Sequence, residues 1–206
     1  MVSELDHIVV VAASIEAGLD HVERQIGVRL PQGGAHPLMG THNHLVRLGD
    51  DAFLEVIAPD PNAKGPSRRR WFGLDNPPAV PRLAHWVVRV DDIDMAMSDL
   101  PATSGPAIPV TRGSLSWRLT VPDDGSLPEG GTFPTVLEWG SAPLPPRAMP
   151  AAGLALDRLV LSHPDPARLK GMIGPLIDDN RVEIAQGPVP SLSALIATPQ
   201  GPKCLC

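Results

Sequence analysis

Apolar residues along the chain gather in short dense runs, and three of those runs look alike. Residues 5–11 (LDHIVVV), 83–89 (LAHWVVR) and 156–162 (LDRLVLS) start 78 and 73 residues apart. Each predicts a strand, and each is followed by a stretch with helical features. After the first run, Ile15, Leu19, Val22 and Ile26 recur at helical spacing, with Ser14 placed to cap the start and Gly27 to end the helix. After the second, residues 91–100 carry acids in the first turn, where the helix dipole favours them. After the third, residues 165–176 open with a proline at a position that helices tolerate. Further strands are predicted at 42–48 and 52–58, with a short one near 28–30, then at 114–121 and 133–139, and at 181–185 and 192–198.

The pattern is therefore a repeat: a strand, a helix, then two or three antiparallel strands. It predicts an α+β fold divided into a first module at 1–60, a linker at 61–82, a second module at 83–140, a Pro-rich linker at 141–152 and a degenerate third module at 153–206. Six prolines between residues 59 and 82 support the first linker.

Composition narrows the functional classes. The 206 residues are 43% hydrophobic and 19% charged, a globular mix. With three Phe, four Trp and no Tyr, the core must be mostly aliphatic. A net charge of -6 argues against general nucleic-acid binding. No apolar run reaches the roughly 20 residues that a membrane helix needs, and no signal peptide is visible. Cys204 and Cys206 are the two cysteines, too few and too close for a disulfide framework, which fits a reducing cytoplasm.

Candidate chemistry comes from the repeat. His7 and Glu55 lie in the opening and closing runs of the first module, His85 and Glu138 in those of the second, at spacings of 48 and 53 residues. Strand alternation places Leu5, His7, Val9 and Val11 on one face, and Phe53, Glu55 and Ile57 on one face. The same reasoning sets His85 beside Leu83 and Val87, and Glu138 beside Val136. A carboxylate on an apolar face is costly unless paired or bound to a metal. Two imidazoles and two carboxylates suit a divalent ion such as Ni, Zn, Mn, Co or Fe. A strand histidine also occurs as a hydrogen-bonded core residue, and a glutamate near a strand end often faces water.

A second cluster holds His36, His42, Asn43 and His44, read either as lining a substrate pocket or as an edge-strand surface patch. The basic run Arg68, Arg69 and Arg70, next to Trp71, reads either as an anion site or as a solvated linker. Trp86, Trp117 and Trp139 read as core or pocket wall, and His21 as solvent-facing. Arg158 takes the place of His7 in the third module, which leaves that module a packing or dimer role.

These residues resemble the vicinal oxygen chelate superfamily, in particular its glyoxalase-like domain proteins. The segment at 40–60 (GTHNHLVRLGDDAFLEVIAPD) carries much of the likeness, which covers residues 3–140 plus the degenerate third unit. The resemblance implies tandem βαβββ modules forming a half-barrel, with a degenerate βαββ module added. It implies a metal inside, held by His7, Glu55, His85 and Glu138. It also implies a lyase or isomerase acting on a small carbonyl or vicinal-oxygen compound, with Glu138 favoured over Glu55 as the base. The alternative is a metal-free protein of the same fold that sequesters a small molecule. The partner expected is a small-molecule substrate, and a homodimer is compatible with the pattern.

Overall fold

The structure is a computed structural model that describes residues 3–140 and 145–206; residues 141–144 of the expected Pro-rich linker lie outside the described residues. Strand β1 (Glu4–Val11) leads into helix α1 (Ile15–Ile26), then β2 (Gln32–His36), β3 (Thr41–Leu48) and β4 (Ala52–Pro59). The second unit runs β5 (Arg82–Arg89), a short helix α2 (Ile93–Met97), β6 (Ala107–Arg112), β7 (Leu115–Thr120) and β8 (Thr135–Trp139). After a one-turn helix α3 (Pro145–Ala148) come β9 (Ala155–His163), α4 (Pro166–Ile173), β10 (Val182–Gln186), β11 (Ser191–Ala197) and β12 (Lys203–Leu205).

The first eight strands form one sheet in the order β2-β3-β4-β1-β5-β8-β7-β6. Within each half the last strand runs parallel to the first, β4 beside β1 and β8 beside β5, while β1 and β5 join antiparallel at the centre. The two halves are thus related by an approximate twofold, and the sheet curls into the expected half-barrel. Its outer edges, β2 and β6, come back into contact.

Local sequence explains the elements. The Ser14 side chain accepts from Ala17 N, and Gly27 ends α1 at φ 76°, where a side chain would be strained. Gly18 lets α1 lie flat on the sheet, since a Cβ there would sit 2.5 Å from Val56 Cγ1. Strand β6 carries Pro109, which a sheet tolerates at an edge and not at its centre.

The other four strands make a second sheet, ordered β10-β9-β11-β12, which packs on the outside of the half-barrel. Leu159, Leu161 and Ile196 from this sheet join Ile8, Leu54 and Trp86 in one buried cluster. Ion pairs between Arg181 and Asp51 (3.0 Å) and between Arg168 and Glu129 (2.6 Å) flank that seam. The third unit carries one more strand than its sequence pattern suggests, because β12 adds to β11. Arg158 is half-exposed and pairs with Glu183. His21 is buried rather than solvent-facing, with its Nε2 2.8 Å from the Cys206 carbonyl. Among the described residues, no helix is long and apolar enough to cross a membrane.

Candidate active site

The concave side of the half-barrel holds a cleft with about 460 Å³ of atom-free space, its open mouth included. Phe53, Trp71, Phe72, Trp117 and Trp139 wall it, and His7, His36, Asn43, Glu55 and Arg112 supply its polar groups. The proportions are those of a small-molecule site, mostly apolar with a few convergent polar groups.

A β-bulge builds its floor. Leu5 pairs with Val88 and His7 with Val87, so Asp6 is the extra residue on β1. Such a bulge resets the alternation of side chains and re-aims them. Leu5 therefore joins the outer core with Ile8 and Val10, while Val9 and Val11 face inward. The simple alternation that put Leu5 on the His7 face does not hold across residue 6. The bulge also lets neighbouring side chains meet: His7 Nδ1 lies 2.6 Å from Asp6 Oδ1. The other Asp6 oxygen accepts from Trp139 Nε1 at 2.8 Å, and Arg89 stands 3.7 Å away. Phe53 stacks on the His7 ring at 4.4 Å.

His7 Nε2 faces Glu55 Oε2 at 3.5 Å, and Asn43 Nδ2 donates to Glu55 Oε1 at 2.6 Å. Burial pushes the His7 imidazole towards its neutral form, but the Asp6 and Glu55 carboxylates outweigh it and lift its pKa to about 9. Burial likewise penalises the Glu55 carboxylate, and the facing His7 more than offsets this, holding its pKa below the ordinary value. The floor is thus an imidazolium and a carboxylate at neutral pH.

Asn43 Oδ1 accepts from Gly34 N at 2.9 Å and from Arg112 at 3.2 Å. Arg112 also donates towards His36 Nε2 at 3.4 Å, which leaves Nδ1–H of His36 for Thr41 Oγ1 at 3.1 Å. Burial holds His36 neutral, with a pKa pushed down to about 4.

The four residues expected to share a metal do not converge. His7 and Glu55 meet, but the pairing register gives Glu55 a different counterpart in the second half. Glu55 lies opposite Val9, two residues beyond His7, whereas Thr135 lies opposite Val87, two residues beyond His85. Glu138 is three residues past Thr135, and an odd offset turns a strand residue to the other face. Leu137 and Trp139 line the cleft, while Glu138 points outward, where it caps α2 by accepting from Ile93 N at 2.9 Å. Arg118 stands 3.8 Å from the same carboxylate. Glu138, expected as a metal ligand and as the favoured base, thus stands on the face of β8 away from His7 and Glu55.

His85 faces inward but is spoken for. Its Nδ1–H donates to the Gly131 carbonyl at 3.2 Å, and Nε2 accepts from Thr135 N at 3.2 Å beside Thr135 Oγ1 at 2.9 Å. Phe72, held at φ 57°, covers it with ring centroids 5.1 Å apart. Burial keeps His85 neutral, its pKa pushed down to about 3. Among the described residues, no group of three His, Cys, Asp or Glu is placed to hold a metal ion. The donor set therefore does not fit the divalent ion that the repeat pattern suggests.

Of the second cluster, Asn43 and His36 line the cleft. His42 and His44 do not; they occupy the opposite face of β3, where His44 Nδ1 donates to the Leu30 carbonyl at 2.8 Å. The basic run divides similarly: Arg69 and Arg70 pair with Asp75 and Arg68 approaches Asp123, while Trp71 and Phe72 enter the cleft. Asp6, Arg112 and the wall residues Phe53 and Phe72 had no role in the sequence reading. The acid next to His7 was the one available signal, and only the bulge makes it meaningful.

One of the solved structures similar to this chain supports the fold. A hypothetical protein from Staphylococcus aureus superposes with a TM-score of 0.63 at 13% identity, covering 92% of this chain and 88% of that one. Methylmalonyl-CoA epimerase from Mycobacterium tuberculosis gives 0.42 at 18% identity over 68% of this chain and 88% of that one. The Streptomyces coelicolor methylmalonyl-CoA epimerase in complex with 2-nitronate-propionyl-CoA gives 0.45 at 14% identity over 69% of this chain and all of that one (100%). No curated protein matches the chain. The model of the glyoxalase-like domain family matches residues 5–177, nearly all of the half-barrel and part of the outer sheet, and the chain belongs to that family.

Proposed function

We propose that this chain is a glyoxalase-like enzyme of isomerase or lyase type. It moves a proton beside the carbonyl group of a small oxygenated compound. The observation that carries the reading is the His7–Glu55 pair at the cleft floor, an acid and a base 3.5 Å apart under aromatic walls. The donor set for a divalent ion does not assemble, so the chemistry falls to these side chains.

In this scheme the substrate carbonyl oxygen accepts from His7 Nε2–H, and Glu55 takes a proton from the adjacent carbon. The carbon–hydrogen electron pair moves into an enediol. Glu55 then returns its proton to the former carbonyl carbon, while the hydroxyl on the carbon it deprotonated gives its proton back to His7 Nε2 and becomes the new carbonyl. In a lyase reaction the original carbonyl re-forms instead, its proton returning to His7, and a group on the carbon beyond the deprotonated one leaves with its bonding pair and the proton held by Glu55. Asp6 keeps Nδ1 of His7 occupied and its ring in register. Asn43 holds the Glu55 oxygen that is not reacting. A substrate oxygen that engages His7 also loosens its hold on Glu55, which restores basicity to the carboxylate.

Deuterium uptake from D₂O into small 2-hydroxy and 2-oxo carbonyl compounds, followed by proton NMR, tests this. Exchange in the native protein and a loss of about a hundredfold or more in Glu55→Gln support it. A second reading, a protein that sequesters its ligand, draws on the largely aromatic walls. It predicts tight binding of such compounds with no exchange in any of them.

A further inference from the structure

We propose that the ligand of this cleft is a small planar carboxylate with an aromatic or apolar body, and that Arg112 selects it. The inference rests on the cleft being the substrate site, and it names the substrate class. Arg112 is the one arginine that lines the cleft among the described residues, and no carboxylate lies within ion-pair reach of it. Nearby arginines are committed elsewhere: Arg118 to Asp94, Arg89 to Glu4 and Asp6, and Arg70 to Asp75. The partners of Arg112 are neutral, namely Asn43 Oδ1 and His36 Nε2. A guanidinium carries five N–H donors in a planar fork that matches a carboxylate, and two neutral acceptors leave most of that capacity unused.

The guanidinium is held in place from three sides. Its Cζ lies 6.0 Å over the Trp117 ring. Gly34 of the opposite sheet edge packs against its stem, where a Cβ would come within 2.9 Å of Arg112 Cδ. Asn43 anchors the far side. The Trp71 ring lines the same cleft, and its indole N–H is buried with no acceptor among the described residues. A ligand carboxylate can take the free N–H groups of Arg112. The His7–Glu55 floor, a cation facing an anion, gives the cleft no other free positive charge. The walls of Trp71, Phe72 and Trp117 suit a flat apolar body.

Phenylglyoxylate is a suitable probe. Its carbonyl has no adjacent C–H, so binding is read without proton transfer, and methyl phenylglyoxylate is its neutral counterpart. Binding of each is measured by tryptophan fluorescence in the native protein, Arg112→Gln and Arg112→Lys, with melting temperature recorded for every variant. The proposal expects the native protein to prefer the carboxylate over the ester by about tenfold. Arg112→Gln loses that preference while keeping its affinity for the ester, and Arg112→Lys retains part of it. Equal affinity for acid and ester in the native protein overturns the proposal, and so does failure to bind either. An equal weakening of both ligands in Arg112→Gln also overturns it, because the residue would then serve only to join the β2 and β6 edges. A clear preference for the acid in a protein that shows no deuterium exchange would keep this inference and discard the proton-transfer reading.

Discussion

The two halves of the barrel share a backbone plan and have opposite chemistry. In the first, His7 lies between Asp6 and Glu55 and is held as an imidazolium. In the second, His85 lies between a backbone carbonyl and Thr135 and is held neutral under Phe72. The register-equivalent residues are Glu55 and Thr135, and that one difference decides whether the histidine meets a carboxylate. Repetition of a strand pattern thus fixes where side chains stand, while the parity of a single offset decides which cavity they serve. Glu138, at an odd offset from Thr135 and so on the outer face of β8, caps a helix instead.

The largest effect that breaks this asymmetry is the loss of Glu55. Glu55→Gln is expected to lower exchange activity by about a hundredfold or more while the protein stays folded. Activity within a factor of about two of the native rate would move the base elsewhere.

Next comes acid sensitivity. His85 and His36 have folded pKa values of about 3 and about 4 against an ordinary 6.5. Between those values and 6.5 the unfolded chain binds protons that the folded chain does not, so stability falls as pH drops below 6.5. The expected slope is on the order of 1–3 kcal/mol per pH unit, read from urea unfolding at pH 6 and pH 4. His7 has the opposite sign. Its contribution is complete below 6.5 and is lost as pH rises through about 9. A flat stability profile from pH 6 to pH 4 would mean that His85 and His36 are not held neutral.

A smaller effect sharpens the contrast from the other half. Glu138→Gln is expected to cost about 0.5–1 kcal/mol of stability, as a weakened cap on α2, and to leave exchange unchanged. A loss of exchange comparable to that of Glu55→Gln would return Glu138 to the cleft. The smallest expected effect concerns metal. Saturating zinc, nickel or manganese should move the melting temperature by no more than about 1 °C, because Glu138 faces outward and both ring nitrogens of His85 are already hydrogen-bonded. A rise of several degrees, abolished by both His7→Ala and Glu138→Ala, would show that the four gather around an ion.

Much of the fold was legible in the sequence. The opening strands of all three units declare themselves through dense apolar runs, and α1 through its spacing, its Ser14 cap and its Gly27 stop. The half-barrel followed from resemblance. What escaped had physical reasons. Alternation cannot register a bulge, so Asp6 was passed over and Leu5 was assigned to the wrong face. Strand β6 is short, sits at an edge and contains Pro109, which reads as a break, and Arg112 was lost with it. Trp71 and Phe72 lie in what reads as a linker beside three arginines, and only the fold carries them into the cleft. His7, Glu55 and Asn43, which line the cleft, were each conspicuous on an otherwise apolar strand face or beside it. Glu138 was conspicuous in the same way, and sequence alone does not tell inner from outer face when spacings of 48 and 53 residues are set side by side.

Nitrogen NMR of the histidine rings, followed from acid to alkaline pH, tests the asymmetry most directly. The account predicts that His7 remains an imidazolium until pH approaches about 9, and that His85 stays a neutral Nδ1–H tautomer for as long as the protein stays folded in acid. Two histidines titrating together near the ordinary value of 6.5 would contradict it, because the two halves would then share one environment.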